Sequence, residues 1–277
     1  MKDVYFSYFM VVLLGTVIVA YLARALLRGR ARHARTDADG GSVFLNKASM
    51  ELGYWLLRPV VDALSALSIT PNMVTGFSLV PAFAAAVAVA FGWFGLACVL
   101  ATMGSLCDLV DGVLARKLGT ASDAGEVVDA AVDRYVESFF LGGLIIYYRS
   151  HWEMLLLTVA AFFGSFMVSY TTAKAEAMRV PPPRGLMRRA ERAIYLLVGS
   201  GLTGLSKEFF ADVPAHALRE LPIIVAITMV GVVTNISSVQ RLAAIARALR
   251  ARAPEGPEPR PASDGIITKP DTPARLV

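Results

Sequence analysis

The sequence predicts an all-α polytopic membrane protein. Of its 277 residues, 56% are hydrophobic and only 18% are charged, and its mean hydropathy is +0.56, whereas a soluble domain carries about 25% charged residues. The apolar residues fall in runs long enough to span a bilayer. The formal net charge of +5 comes from arginines and lysines that cluster beside these runs, as in cytoplasmic membrane loops. This distribution indicates a membrane-lipid environment and argues against a nucleic-acid partner.

The chain begins with an apolar run from Val4 to Leu27 that is long enough to cross a membrane. No small-residue cleavage site precedes Arg24, so we interpret the run as a retained transmembrane helix rather than a signal peptide. The basic block that follows places this end in the cytoplasm and Met1 outside. We expect three parts: an N-terminal transmembrane helix with a basic linker (1–42), a membrane-embedded domain (43–252) and a disordered cytoplasmic tail (253–277).

The membrane-embedded domain is expected to contain one interfacial amphipathic helix followed by six transmembrane helices. Leu52, Leu56 and Val60 recur at helical spacing among charged residues, which favours a helix at the membrane surface. The step Thr70-Pro71 fits the N-cap and the first position of the next helix. The six expected spans are about 71–91, 95–114, 127–148, 154–170, 193–205 and 221–239. With the N-terminal helix, seven spans leave the C-terminus inside.

Four carboxylates stand at the edge of two of these apolar segments. Asp108 and Asp111 are three residues apart, and Asp129 and Asp133 are four apart, so each pair shares one face of a helix. The connection between the two segments is short, which predicts antiparallel neighbours whose carboxylates converge near the cytoplasmic surface. An Asp at the centre of a membrane helix costs roughly 2.5–3.5 kcal/mol unless it is neutralised. Oxygen ligands without Cys or His predict Mg²⁺ or Mn²⁺, and two such ions can hold a transferring phosphoryl group.

Three residues between and beside the carboxylates are suited to a phosphate ligand. Gly112 and Gly125 remove a side chain where a ligand or a second helix must approach closely. Arg116 offers a planar fork for phosphate oxygens. The full pattern, D-x2-D-G-x2-A-R-x8-G-x3-D-x3-D from Asp108 to Asp133, matches every position of the signature of the CDP-alcohol phosphotransferase family. The turn Pro71-Asn72-x-Val74-Thr75 also resembles the element that precedes the first core helix of that family.

The resemblance extends over about residues 52–247 and implies a six-helix core, to which this chain adds one N-terminal helix. It implies attack by an alcohol hydroxyl on the β-phosphorus of a CDP-linked donor, typically CDP-diacylglycerol, with release of CMP. The implied metal ligands are Asp108, Asp111 and Asp129, with Asp133 as the general base that also touches a metal. The implied contacts to the CDP group are Gly112, Ala115, Arg116 and Gly125, completed by Asn72 and Thr75. It further implies a homodimer in a bacterial inner membrane, with the active site facing the cytoplasm.

The acceptor alcohol is less defined. The stretch Ser169 to Glu176, with Arg192 further on, is similar to the branch of the family that makes phosphatidylinositol phosphate. That branch carries basic residues at the positions of Thr172 and Lys174, and here Thr172 is neutral. Lys174, Arg189 and Arg192 would still form an anion pocket for inositol phosphate.

Glycerol-3-phosphate, serine and inositol stay open as acceptors. An intramembrane cation transporter, with the carboxylates as an ion path, is the alternative from another class. It leaves Arg116 and Gly125 unexplained.

Overall fold

A computed structural model describes residues 2–28, 47–181, 185–213 and 216–252. Within these ranges the chain is helical and has no strand, which confirms the all-α fold class. The eight helices of the described residues are α1 (Val4–Arg28), α2 (Lys47–Ala66), α3 (Pro71–Ala90), α4 (Phe94–Leu118), α5 (Asp123–Tyr147), α6 (Trp152–Ala177), α7 (Arg189–Phe209) and α8 (His216–Ala251).

Five of these helices, namely α1, α3, α4, α6 and α8, are long and apolar enough to cross a membrane. The helices α5 and α7 have comparable lengths, but α5 carries charged residues in its N-terminal part and α7 carries them at both ends, so neither is apolar enough to be among the five. The chain is thus a membrane protein with several apolar helices. The count of seven spans and their orientation stay predictions.

Helices α3 to α8 form a ring around a shared core. Helix α3 packs between α4 and α5, α4 packs against α7, and α8 packs against both α6 and α7. The ring closes where α5 meets α6. Large apolar side chains from five of the helices fill its centre, among them Phe94, Leu144, Leu196, Ile223 and Ile227. Helix α1 lies outside the ring against α4 and α7.

Local signals fix the start of α3, the end of α4 and the start of α5. Helix α3 begins as predicted, because the Thr70 hydroxyl accepts a hydrogen bond from the Met73 N–H at 3.4 Å and Pro71 takes the first position. Helix α4 ends at Gly119, whose φ of 67° is left-handed. The Ser122 hydroxyl accepts the Gly125 N–H at 3.2 Å and starts α5. Only four residues, 119–122, therefore join α4 to α5.

Several helices are longer than the hydrophobic segments predicted. The expected spans 154–170, 193–205 and 221–239 lie within helices that extend over 152–177, 189–209 and 216–251. Arginine and lysine are good helix formers, so the basic residues continue the helices instead of forming loops. As a result, Lys174, Arg189, Arg192 and Arg241 occupy fixed positions on helical faces.

A helix, α2, is present where the interfacial helix is predicted, and it packs Leu57 and Val61 against Val110 and Leu114. Beside it, Lys117 donates a hydrogen bond of 2.7 Å to Asp62 and lowers the pKa of that exposed carboxyl. The location of α2 at the membrane surface stays a prediction, as does the division of the chain at residues 42 and 252. The predicted linker after α1 and the predicted tail 253–277 lie outside the described residues.

Candidate active site

Three of the four predicted metal ligands form one cluster. Asp108 on α4 and Asp129 and Asp133 on α5 each offer a carboxylate oxygen, and these oxygens lie within 4.8 Å of one another. The Oδ1 atom of Asp129 is buried and has no hydrogen-bond partner among the described residues. Because a buried unpaired carboxylate oxygen is costly, the group has the chemistry of a cation site.

Asp111 is turned toward α3 instead of joining this cluster. Its Oδ2 atom accepts a hydrogen bond of 2.5 Å from the Thr75 hydroxyl, and its side chain is buried. A spacing of three residues on a helix separates two side chains by about 60° in projection. Asp108 therefore faces α5 and α7 while Asp111 faces α3. The predicted convergence of four carboxylates holds for three, and Asp111 lies in the cavity beside them.

Arg189, predicted as an acceptor residue, reaches the carboxylates directly. Its Nη1 atom is 3.1 Å from Asp108 Oδ2, and its Nη2 atom is 2.6 Å from Asp133 Oδ1. One guanidinium thus bridges α7 to both α4 and α5. This contact balances part of the negative charge of the cluster and places a guanidinium, a group suited to phosphate, next to the carboxylates.

A cavity of about 520 Å³ lies on one side of the cluster. All six residues predicted to contact CDP line it: Asn72, Thr75, Gly112, Ala115, Arg116 and Gly125. Asp111 and Asp129 complete the wall, so the cavity opens onto the carboxylates. We call it the donor cavity, after the CDP donor that the sequence predicts for its lining residues.

The two glycines lie in the wall of the donor cavity beside polar side chains. A Cβ at Gly112 would approach the Arg116 Nη1 atom to 3.3 Å, which would displace the guanidinium. A Cβ at Gly125 would approach the Ser122 hydroxyl to 3.4 Å and the Asn72 Oδ1 atom to 3.9 Å. Both positions therefore border polar side chains of the cavity wall, and the close approach of a ligand there stays a prediction.

A second cavity of about 770 Å³ lies on the other side of the cluster and is strongly basic. Its wall includes five arginines, namely Arg134, Arg188, Arg189, Arg192 and Arg241, against the two glutamates Glu126 and Glu176. Glu126 also lines the donor cavity, so the two cavities adjoin. We call this one the acceptor cavity, because two of the predicted acceptor residues, Arg189 and Arg192, line it. Lys174 is exposed and is not among the residues that line it.

The arginines of the acceptor cavity are held by partners below its surface. Arg192 is only 1% exposed, and its guanidinium donates to both oxygens of Glu137 at 2.6 and 2.9 Å. Arg134 approaches Glu137 to 3.9 Å and hydrogen-bonds to the Ser169 hydroxyl. Such a charge-paired network fixes side-chain positions because each buried donor has its acceptor. Arg192 is thus held in the wall by Glu137.

Three residues of this site escaped the sequence reasoning. Arg241 on α8 donates to the hydroxyl of Thr172 on α6, and it brings a cation to the position where the sequence showed a neutral residue. Arg134 and Glu137 lie one and four residues after Asp133, the last signature aspartate. The neutral Thr172, where the similar branch has a cation, is the signal that could have directed attention to a basic residue elsewhere such as Arg241.

The site joins a carboxylate cluster that could hold a divalent cation to two adjoining cavities, one of them strongly basic, which is the arrangement expected of a phosphoryl-group transferase. The family model described as CDP-alcohol phosphatidyltransferase matches residues 68–236. A phosphatidylinositol phosphate synthase from Cutibacterium acnes is 31% identical over 198 residues, which cover 70% of this chain and 93% of the relative. The chain therefore belongs to the CDP-alcohol phosphatidyltransferase family and is a transferase.

Solved structures agree with this assignment. The phosphatidylinositol phosphate synthase PgsA1 of Mycobacterium tuberculosis, solved in complex with manganese and citrate, matches with a TM-score of 0.60 and 26% identity. The match covers 68% of this chain and 88% of that chain. The same enzyme with CDP-DAG bound matches with a TM-score of 0.59 and covers 92% of that chain at 26% identity.

Proposed function

We propose that this protein transfers a phosphatidyl group from CDP-diacylglycerol to a hydroxyl of inositol phosphate and releases CMP. The observation that carries the proposal is the pair of cavities that meet at the carboxylate cluster. One holds every residue predicted to contact CDP, and the other is lined by five arginines against two glutamates. A basic cavity is the complement of an acceptor that itself bears a phosphate.

The carboxylates fit a divalent metal. Asp108, Asp129 and Asp133 would hold Mg²⁺ or Mn²⁺, since these carboxylates supply hard oxygen ligands and neither Cys nor His is among them. The family resemblance adds Asp111 as a further ligand and a second ion. The unpartnered oxygen of Asp129 supports this assignment. When bound, the metal would neutralise the donor diphosphate and lower the energy of the leaving CMP.

The side chains around the cluster divide the remaining work. In the donor cavity, Arg116 would bind diphosphate oxygens while Asn72 and Gly125 border the nucleotide. In the acceptor cavity, Arg189 would hold the acceptor next to Asp133. The acceptor hydroxyl oxygen attacks the β-phosphorus, and its proton passes to Asp133. The bond between the β-phosphorus and the bridging oxygen breaks, and that oxygen leaves with CMP.

The position of Arg241 favours an acceptor alcohol that carries a phosphate over one that carries none. It reaches Thr172 from α8 and supplies the second cation that the inositol-phosphate branch has at this position. Serine and free inositol carry no phosphate for this cavity. Glycerol-3-phosphate does carry one, but the names of the curated relatives and the 770 Å³ volume favour the larger inositol phosphate.

We also propose that the protein is an integral protein of a bacterial inner membrane and that its active site faces the cytoplasm. The basic residues at the ends of α6, α7 and α8 lie at the same end of the bundle as the carboxylates, as the positive-inside rule requires. The homodimer that the family resemblance implies stays a prediction, which crosslinking in membranes would test.

The function is tested with the purified full chain in lipid, Mn²⁺ and CDP-diacylglycerol. Inositol phosphate, inositol, glycerol-3-phosphate and serine are offered in turn, with CMP measured by chromatography and the lipid product by mass spectrometry. We expect CMP and phosphatidylinositol phosphate in equal amounts with inositol phosphate, and at least tenfold slower turnover with the others. Equal turnover with free inositol would contradict the role of the basic cavity. Cation flux without CMP would favour the transporter.

A further inference from the structure

Two of the arginines in the wall of the acceptor cavity have partners outside the carboxylate cluster. Arg192 donates to both oxygens of Glu137, and Arg134 is bonded to the hydroxyl of Ser169. Arg189 differs, because within the described part of the chain it is the one arginine of this wall that forms ion pairs with the cluster. Its charge therefore balances carboxylates that are also suited to a divalent cation.

The contact of Arg189 with the cluster uses the same oxygens that a cation needs. Its Nη1 atom donates to both oxygens of Asp108, at 3.2 and 3.1 Å, and its Nη2 atom lies 2.6 Å from Asp133 Oδ1. Mg²⁺ and Mn²⁺ bind carboxylate oxygens directly. A guanidinium and a divalent cation carry charge of the same sign, so they repel each other at one pair of carboxylates. Arg189 and the cation therefore compete for Asp108 and Asp133.

Arg189 also separates the acceptor cavity from Asp133, the predicted general base. The wall of the acceptor cavity includes Arg189, whereas neither Asp108 nor Asp133 is among the residues that line it. Asp129 lies on the other side, in the wall of the donor cavity, and its buried Oδ1 atom has no hydrogen-bond partner among the described residues. The cluster is thus reached from the donor cavity through Asp129, while the Arg189 guanidinium covers it on the acceptor side.

The Arg189 side chain has room to leave the cluster while its backbone stays in place. It is 29% exposed, whereas the Arg192 side chain is 1% exposed. Arg189 is the first residue of α7, and the start of that helix is fixed where the Glu191 carboxylate accepts the Arg188 N–H at 2.8 Å. The acceptor cavity of about 770 Å³ lies beside the guanidinium. A change of rotamer is therefore enough to turn this group into the cavity.

We propose that Arg189 is an exchangeable counter-ion that couples the cation site to the acceptor cavity. Its guanidinium leaves Asp108 and Asp133 when these carboxylates bind the divalent cation, and it then binds the phosphate of the acceptor. Cation and phosphate favour the same position of Arg189, so each raises the affinity for the other by the same factor. The exchange also uncovers Asp133 toward the acceptor hydroxyl. The inference rests on the proposed function, with its divalent cation and its phosphate-bearing acceptor.

The first test measures the binding of Mn²⁺ alone to the full chain in detergent micelles by electron paramagnetic resonance. Arg189→Gln removes the competing guanidinium, so the Kd for Mn²⁺ is expected to fall about tenfold, because a larger fraction of the protein can then bind the ion. Arg134→Gln is the matched control. It removes one positive charge from the same cavity wall, its side chain is 30% exposed, and it forms no ion pair with the described cluster. Its Kd for Mn²⁺ should stay within about threefold of wild type.

The second test measures the coupling between the two sites. Inositol phosphate is titrated by calorimetry into the same samples without donor, at low and at saturating Mn²⁺. Saturating Mn²⁺ is expected to lower the Kd for inositol phosphate about tenfold in wild type and in Arg134→Gln, but less than threefold in Arg189→Gln. Arg189→Lys keeps the charge as a point without the planar fork that bridges two carboxylates, so we expect intermediate values in both tests.

Equal tightening of Mn²⁺ binding in Arg189→Gln and Arg134→Gln would overturn the exchange, because net charge alone would then explain the effect. Full coupling in Arg189→Gln would overturn it as well. Thermal unfolding establishes that each variant is folded, and should Arg189→Gln fail to fold, wild-type values in Arg189→Lys contradict the exchange. Wild-type protein that binds inositol phosphate equally at both Mn²⁺ concentrations refutes the exchange alone. Wild-type protein that binds no inositol phosphate at either concentration refutes the proposed acceptor and the exchange with it.

Discussion

The donor cavity and the acceptor cavity lie on opposite sides of one carboxylate cluster, but the chain assembles them differently. The donor cavity uses residues 70–75 and the contiguous stretch 111–129. The acceptor cavity draws residues from α5, α6, α7 and α8, which are far apart in the sequence. A contiguous stretch keeps its geometry through helical spacing alone, whereas the acceptor cavity depends on how four helices pack. Substitutions in the two cavities should therefore change the KM values of different substrates.

The largest effect is expected where the two cavities meet. Asp133→Asn removes the proton acceptor and one ligand of the cluster, so kcat should fall on the order of 10³-fold while both substrates still bind. CMP release and the thermal unfolding midpoint are measured on the same sample. Glu153→Gln, at the other end of the bundle on α6, is the charge-matched control and should retain full activity. If turnover is unchanged in Asp133→Asn, then Asp133 is not the general base.

Removal of divalent cations should abolish turnover, since the charge of the carboxylates and of the donor diphosphate is then unbalanced. Activity is measured in EDTA and after addition of Mg²⁺ or Mn²⁺, and Mn²⁺ binding is followed by electron paramagnetic resonance. Asp129→Asn should weaken that binding without any substrate present. Full activity in EDTA would refute the metal site.

Arg241→Gln should affect the acceptor cavity alone. Losing a hydrogen bond from a charged group costs about 1.5–3 kcal/mol. We therefore expect the KM for the acceptor alcohol to rise roughly ten- to a hundredfold, with the KM for the CDP-linked donor unchanged. Arg247→Gln, on the exposed side of the same helix, is the matched control. Because Arg241 hydrogen-bonds to Thr172, the added substitution Thr172→Lys should restore part of the affinity. No recovery in the double variant would show that position 172 does not face the acceptor.

The smallest effect is expected in the donor cavity. Gly112→Ala places a methyl group 3.3 Å from the Arg116 Nη1 atom, so the guanidinium must shift by a few tenths of an ångström. We expect the donor KM to rise about two- to fivefold, within the range of mild overpacking, with no change in acceptor KM. Steady-state kinetics with one substrate saturating separate the two values. A larger change in acceptor KM would place Gly112 outside the donor cavity.

The parts of the molecule that sequence reasoning predicted are those set by local spacing. The all-α class, the cap at Thr70 and the three-carboxylate cluster all follow from helical periodicity and from residues close in sequence. Helical spacing predicts that Asp111 converges with the other carboxylates, because the hydrogen bond from Thr75, 36 residues earlier, cannot be inferred from spacing. Arg241 is not predicted as a site residue, since its partner Thr172 is 69 residues away. Long-range pairings depend on helix packing, which a single sequence does not encode locally.

A comparison of Arg116→Gln with Arg241→Gln tests most directly whether the two cavities bind different substrates. Donor KM and acceptor KM are determined for both variants with CDP-diacylglycerol, inositol phosphate and Mn²⁺. Arg116→Gln should raise only the donor KM, and Arg241→Gln only the acceptor KM. If both variants raise the KM of the same substrate, the division of the site into a donor cavity and an acceptor cavity is wrong.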